Sequence, residues 1–166
     1  MTPEPQAPAA IVPPDAPANG PFTLRDELGR TSEEGSLRNG VLDGELRVYS
    51  RGRIAGKFQY RDGLRNGDAI FYNEAGDPVG TGTYRDGLLD GEWAYMDAFG
   101  TVVRRVLYRA GELEGRAVTF YPSGKPYQFC DYQSGLLEGD LLTYSEQGKL
   151  LDRLKYEAGR PVPAKT

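Results

Sequence analysis

Tyr84-Arg-Asp-Gly-Leu-Leu-Asp-Gly-Glu-Trp93 recurs in shifted form on both sides of itself and sets the period of most of the chain. Its copies read Tyr60-Arg-Asp-Gly63-Leu-Arg-Asn-Gly67-Asp, Tyr108-Arg-Ala-Gly111-Glu-Leu-Glu-Gly115-Arg and Tyr132-Gln-Ser-Gly135-Leu-Leu-Glu-Gly139-Asp, and Leu37-Arg-Asn-Gly40-Val-Leu-Asp-Gly44-Glu precedes them. The second glycines, Gly44, Gly67, Gly91, Gly115 and Gly139, are 23 or 24 residues apart. A third glycine keeps the same beat at 29, 52, 76, 100, 124 and 148, within short polar stretches such as Glu74-Ala-Gly-Asp77. Regular glycines flanked by Asp, Asn or Ser mark tight reversals, because glycine enters positive φ without steric penalty. Between the reversals lie short runs with Tyr, Phe, Val, Thr and Leu, and none carries a helical stripe.

Each unit therefore reads as a β-hairpin, and successive hairpins add to an elongated, single-sheet antiparallel β-meander. About 11 to 12 short strands are expected, and a sheet extending roughly 50 Å at the usual strand spacing. The chain divides into a Pro/Ala-rich leader over 1–21, a repeat domain over 22–158 with five full units and capping half units, and a tail over 159–166. The leader holds seven prolines and reads as a disordered tether. It lacks the basic and apolar regions of a secretory signal. Two settings stay open: the spacer of an exported, periplasmic protein, or a cytoplasmic tail. Pro161 and Pro163 are expected to stop the last strand.

The bulk composition excludes several classes of function. There are no histidines and a single cysteine, Cys130, so the usual zinc sets and the Ser-His-Asp and Cys-His systems cannot be assembled. A net charge of -4 argues against a nucleic-acid backbone as partner. No 18-residue apolar run is present. Paired acids such as Asp43 with Glu45, Asp90 with Glu92 and Glu138 with Asp140 recur in unit after unit, as turn residues do and an active site does not. The chain accordingly reads as non-enzymatic, with no cofactor, metal or small-molecule substrate.

Pairing Tyr84 with Gly91 across the loop puts Gly82 opposite Trp93, and a bare glycine leaves room for an aromatic ring on the neighbouring strand. Repeating that register collects Leu46, Phe58, Phe71, Trp93, Val106, Ala117, Cys130, Leu141 and Leu154 on one apolar face, beside a structural ladder of Tyr60, Tyr84, Tyr108, Tyr132 and Tyr156. Cys130 is a small apolar residue of this face. The opposite face receives charged residues and one large residue per unit, Tyr49, Tyr72, Met96, Phe120 and Tyr144. Folding alone does not require that column, so it is the candidate partner-binding surface, with Glu45, Asp68, Glu92 and Asp140 as an acidic rim that steers a basic partner. The same register sets Asp131 against Asp140. A cation such as Arg109 or Arg116 relieves the pair, a partner does, or the register shifts there.

The motif Tyr-x-x-Gly-Leu-x-Asp/Asn/Glu-Gly-Asp/Glu, followed by an aromatic residue and a tip glycine, resembles the MORN repeat over about residues 30–158. More narrowly it is similar to the bacterial variant of the YwqK antitoxin type. It departs from that pattern at Leu37, Met96 and Arg116. The resemblance implies a binding protein paired with a secreted bacterial toxin or effector that it neutralises as an antitoxin or immunity protein. It also leaves open a structural scaffold or a phospholipid-associated adaptor, with Lys57, Arg61, Arg85, Arg105 and Arg109 as headgroup contacts.

Overall fold

The computed structural model describes residue 12 and residues 15–163, so most of the leader lies outside the described residues. The protein is all-β, one open antiparallel sheet of sixteen strands with hairpin neighbours. The strands are β1 Gly20–Arg25, β2 Thr31–Arg38, β3 Val41–Leu42, β4 Gly44–Ser50, β5 Arg53–Arg61, β6 Leu64–Tyr72, β7 Pro78–Arg85 and β8 Leu88–Leu89. They continue as β9 Gly91–Met96, β10 Val102–Arg109, β11 Glu112–Leu113, β12 Gly115–Phe120, β13 Pro126–Gln133, β14 Leu136–Tyr144, β15 Leu150–Glu157 and β16 Arg160–Val162. The excess over the expected strand count has two sources. Two-residue strands β3, β8 and β11 split off beside the tight turns, and β16 extends the sheet beyond the expected last strand.

The tight turns have one geometry. Asn39-Gly40, Asp62-Gly63, Asp86-Gly87, Ala110-Gly111, Ser134-Gly135 and Ala158-Gly159 carry positive φ at both positions, 47 to 53° and then 77 to 87°. That is the type I′ turn, whose twist matches the strands it joins. Each turn also rests on the preceding one. The glycine N–H of 40, 63, 87, 111, 135 and 159 donates to the carbonyl of 18, 42, 65, 89, 113 and 137 respectively, at 2.7 to 2.9 Å. Ala18 thus acts as the turn before the first, and Asn39 N–H donates to Asn19 Oδ1. The ordered array begins inside the stretch read as leader.

At the far end of each hairpin, Asp26, Asn73 and Asp97 each accept two backbone N–H groups on one side-chain oxygen at 2.9 Å. The turn at Arg51-Gly52 is shorter, joining Ser50 directly to Arg53 as strand partners. It lies between Gly44 and Gly67, which accounts for the 23-residue step there.

The register within hairpins is corrected near the turns. Tyr60, Tyr108 and Tyr132 oppose Arg65, Leu113 and Leu137, because the chain bulges before the second glycine. Farther out the expected pairing holds, as in Phe58 with Ala69 and Arg105 with Val118. The Tyr–Gly pairs do form, but with the glycine of the preceding unit: Tyr60 with Gly44, Tyr84 with Gly67, Tyr108 with Gly91, Tyr132 with Gly115 and Tyr156 with Gly139. Gly82 faces Ala69 on that side. Asp131 opposes Glu138 and Arg116, and Asp140 opposes Lys155, so the two aspartates do not face each other. Pro161 does not end the sheet: it lies within β16, opposite Tyr156. Proline is tolerated there because an outermost strand needs no donor on its open side.

Two compact units divide the chain, Met1–Leu88 and Leu89–Thr166. In the first, Phe22, Leu37, Leu42, Leu46, Phe58 and Phe71 are buried. The Phe58 and Phe71 rings meet edge to face at 5.1 Å. Gly56 is required beneath them, since a Cβ there would lie 2.7 Å from Phe58 Cε2. Arg65 stands where other units carry Leu, and its guanidinium lies 5.2 Å from the Phe58 ring and 5.4 Å from the Tyr84 ring. In the second unit Leu89, Trp93, Val106, Ala117 and Cys130 are buried, and Leu154 at the row's end is 44% exposed.

Glu33 places a carboxyl on the apolar face of the first unit. It opposes Leu24 and Val48, and its Oε2 is buried without a hydrogen-bond partner among the described residues. Burial pushes its carboxyl above the ordinary glutamate range.

Two measurements follow from this arrangement. Gly111→Ala, forcing a Cβ into positive φ, is expected to lower unfolding free energy by about 1 to 2 kcal/mol, while Ala110→Asn raises it by several tenths; urea denaturation reads both. For Glu33 the folded carboxyl holds its proton above the pH at which the unfolded one releases it, so its contribution to stability falls as pH rises through that window and stays reduced above it. Glu33→Gln is therefore expected to gain about 1 kcal/mol over the parent at about pH 8 and nothing at about pH 4. Equal gains at both would place the effect elsewhere.

Candidate functional site

The second face of the sheet alternates with the apolar one along each strand. In the first unit, Tyr49 donates its hydroxyl proton to Glu34 Oε2 at 2.8 Å. That bond to a carboxylate, with some burial, raises the phenol above its ordinary pKa. Glu45 is paired with Arg47 at 2.7 Å, which holds the guanidinium charge more firmly. Lys57 Nζ lies 6.0 Å from the Tyr72 ring centre. Tyr72 also borders an open depression of about 680 Å³ with Arg51, Arg53 and Glu74. Asp68 is exposed and opposes Thr83.

In the second unit the expected residues converge. Val118, Phe129 and Leu142 are consecutive cross-strand partners through β12, β13 and β14. The row is bounded by Arg105, opposite Val118, and Arg153, opposite Leu142. Phe129 is the centre. The Tyr144 ring meets it edge to face at 5.7 Å and 90°, and Phe120 shares a depression of about 450 Å³ with it, bordered by Glu92, Arg105 and Leu107. A second depression of about 300 Å³ joins Phe129 and Tyr144 to Arg116, Asp131 and Asp140. Glu92, Phe120, Asp140 and Tyr144 are thus brought around one side chain. Met96 is half-buried opposite Val102.

The charges around this cluster are paired. Glu92 lies 3.6 Å from Arg105, Asp131 3.2 Å from Arg116 and Asp140 2.6 Å from Arg153. The Arg116 and Arg153 guanidiniums are held above their ordinary pKa by the hydrogen bonds they donate to Asp131 and Asp140. The rim expected to be acidic is therefore mixed in sign, and it orients a partner by pattern more than by net field.

Phe129, Val118 and Leu142 were missed by alternation alone. Their signal was present in the consecutive apolar residues Ala117-Val118, Phe129-Cys130 and Leu141-Leu142, since neighbours on a strand point to opposite faces and both faces are then apolar.

No family model and no curated protein matches the sequence. Among solved structures the chain is similar to one described as the crystal structure of a GtfA/B complex bound to UDP and GlcNAc, with 16% identity and a TM-score of 0.29. The match covers 67% of this chain and 22% of that one, and a likeness of that size carries no argument.

The two faces differ in what a truncation removes. Phe58→Ala empties a site only 2% exposed and is expected to cost about 3 to 5 kcal/mol. Phe129→Ala, half-buried on the outer face, is expected to cost about 1 kcal/mol or less. Chemical denaturation of the two variants separates a core residue from a surface anchor, and a loss at Phe129 as large as at Phe58 would make it core.

Proposed function

We propose that the protein is a non-enzymatic, MORN-type binding protein that neutralises a cognate bacterial toxin by docking on it and covering its active entrance. The observation that supports this reading is the cluster of Phe120, Phe129 and Tyr144, half-buried on the outer face and ringed by ion pairs. Large aromatics at the centre of a polar surface are the usual composition of a binding hot spot. They sit on strands whose spacing is set by backbone hydrogen bonds, so little conformational freedom is lost on docking.

The partner recognised by this surface is a folded protein offering an apolar centre within a mixed polar rim. Because the ion pairs already satisfy Glu92, Asp131 and Asp140, no large basic surface is required of it. The reading assigns no chemical step to this chain.

The test is a paired capture from lysate and culture fluid of the source organism, using the parent chain and Phe120→Ala/Phe129→Ala in parallel. One stoichiometric protein retained by the parent, held at least about tenfold more weakly by the variant, and toxic to cells unless the parent is co-expressed is the expected result. Equal retention by both chains, or a captured protein whose effect on growth is unchanged by the parent, would contradict the reading.

A further inference from the structure

One row of side chains on the core face of the second unit is polar from end to end. Tyr95, Arg104, Thr119, Gln128, Thr143 and Asp152 are successive cross-strand partners through β9, β10, β12, β13, β14 and β15. Each stands two residues along its strand from Trp93, Val106, Ala117, Cys130, Leu141 or Leu154, and hence on the same face. The corresponding row of the first unit is Leu24, Glu33, Val48, Gly56, Phe71 and Gly80, apolar or bare except for Glu33. The repeat does not require polarity at these positions.

The row is only partly satisfied from within. Gln128 Nε2 donates to Thr143 Oγ1 at 3.2 Å, Arg104 Nη2 donates to the Tyr132 hydroxyl at 3.3 Å, Asp152 Oδ1 accepts the Arg153 N–H at 2.9 Å, and the Tyr95 and Tyr108 hydroxyls lie 3.5 Å apart. Arg104 and Asp152 form no ion pair among the described residues, whereas on the opposite face Glu92, Asp131 and Asp140 are each paired with an arginine. Five of the six residues are half-buried and Asp152 is exposed.

The order Arg104, Thr119, Gln128, Thr143, Asp152 reads the same from either end, apart from an exchange of charge. Two sheets that face each other across a two-fold axis running along the strands reverse this row against itself. Arg104 of each copy then meets Asp152 of the other, Thr119 meets Thr143, and the Gln128 amides meet on the axis, where each offers both donor and acceptor. The six-strand row is roughly 24 Å long, and face-to-face sheets lie about 10 Å apart, within reach of these side chains. Leu154, 44% exposed beside the row, would be covered in the same packing.

We infer that this row is the self-complementary contact of a symmetric dimer, the second copy meeting the first through Arg104 and Asp152. It uses the face opposite Phe129, so its failure leaves the toxin-binding reading untouched, and the converse holds too.

Sedimentation equilibrium of the full chain over a concentration series tests it. The parent is expected to dimerise. Arg104→Asp alone and Asp152→Arg alone each bring like charges together twice, and each is expected to raise the dimer dissociation constant about a hundredfold. An equimolar mixture of the two single variants restores opposite charges at both contacts and is expected to recover association close to the parent's. Circular dichroism verifies that each variant is folded, and recovery in the mixture separates charge matching from damage to the fold. A parent chain that stays monomeric, single variants that dimerise unchanged, or a mixture that fails to recover would each overturn the proposal.

Discussion

The contact on which the remainder depends is the hydrogen bond from each turn glycine to the carbonyl of the turn before it. A type I′ turn fixes the twist and register of its own hairpin, but it leaves open how one hairpin meets the next. The glycine N–H closes that freedom, since it points out of the turn at a distance of 2.7 to 2.9 Å from its acceptor in every unit described. Once the turns are stacked, the tyrosine that opens each motif must fall beside the second glycine of the previous motif. The motif's glycines therefore serve the unit that follows as much as their own, which is the nearest-neighbour logic of a repeat array.

The same contact explains the ends. A first turn with no predecessor would leave the Gly40 N–H unpaired, and Ala18 and Asn19 supply a carbonyl and a side-chain oxygen where a turn would otherwise stand. At the other end Gly159 closes on Leu137, and β16 carries the pattern three residues farther before Pro163. Glu114 and Glu138 repeat the device from the side chain, accepting the N–H of Ser134 and Ala158. Each of these two acids stands immediately before the second glycine of its unit.

The period, the hairpins and the apolar face were legible because each rests on local chemistry: glycine at positive φ, alternation on a strand, aromatic residues at fixed spacing. The register near the turns was not, because the bulge before the second glycine obeys the stacking of neighbouring turns and leaves no mark within its own hairpin. Part of the candidate site was legible for a similar reason. Phe120 and Tyr144 stand out as one large residue per unit, whereas Phe129 sits in a run already explained by Cys130 beside it. Alternation places charges of both signs on that face, but which of them pair escaped sequence reading. Glu92, Asp131 and Asp140 find their arginines on adjacent strands, 13 or 15 positions away along the chain.

Equivalent strand positions have different fates in the two units, and the difference is informative. Where Arg65 replaces Leu in the first unit, its guanidinium lies against the Phe58 and Tyr84 rings and donates to the Tyr60 hydroxyl at 3.1 Å, so a cation is accommodated by the surrounding aromatics. Among the described residues, Arg104 in the second unit donates to one hydroxyl and to no carboxylate. A half-buried guanidinium left in that state is not a requirement of the repeat, because the corresponding position in the first unit is occupied by Glu33 or by small and apolar residues in neighbouring strands. Folding accounts for the polar groups that the stacked turns and cross-strand ion pairs satisfy. Those it leaves with spare bonding capacity, together with the aromatic cluster on the opposite face, are where association with other molecules has the most to gain.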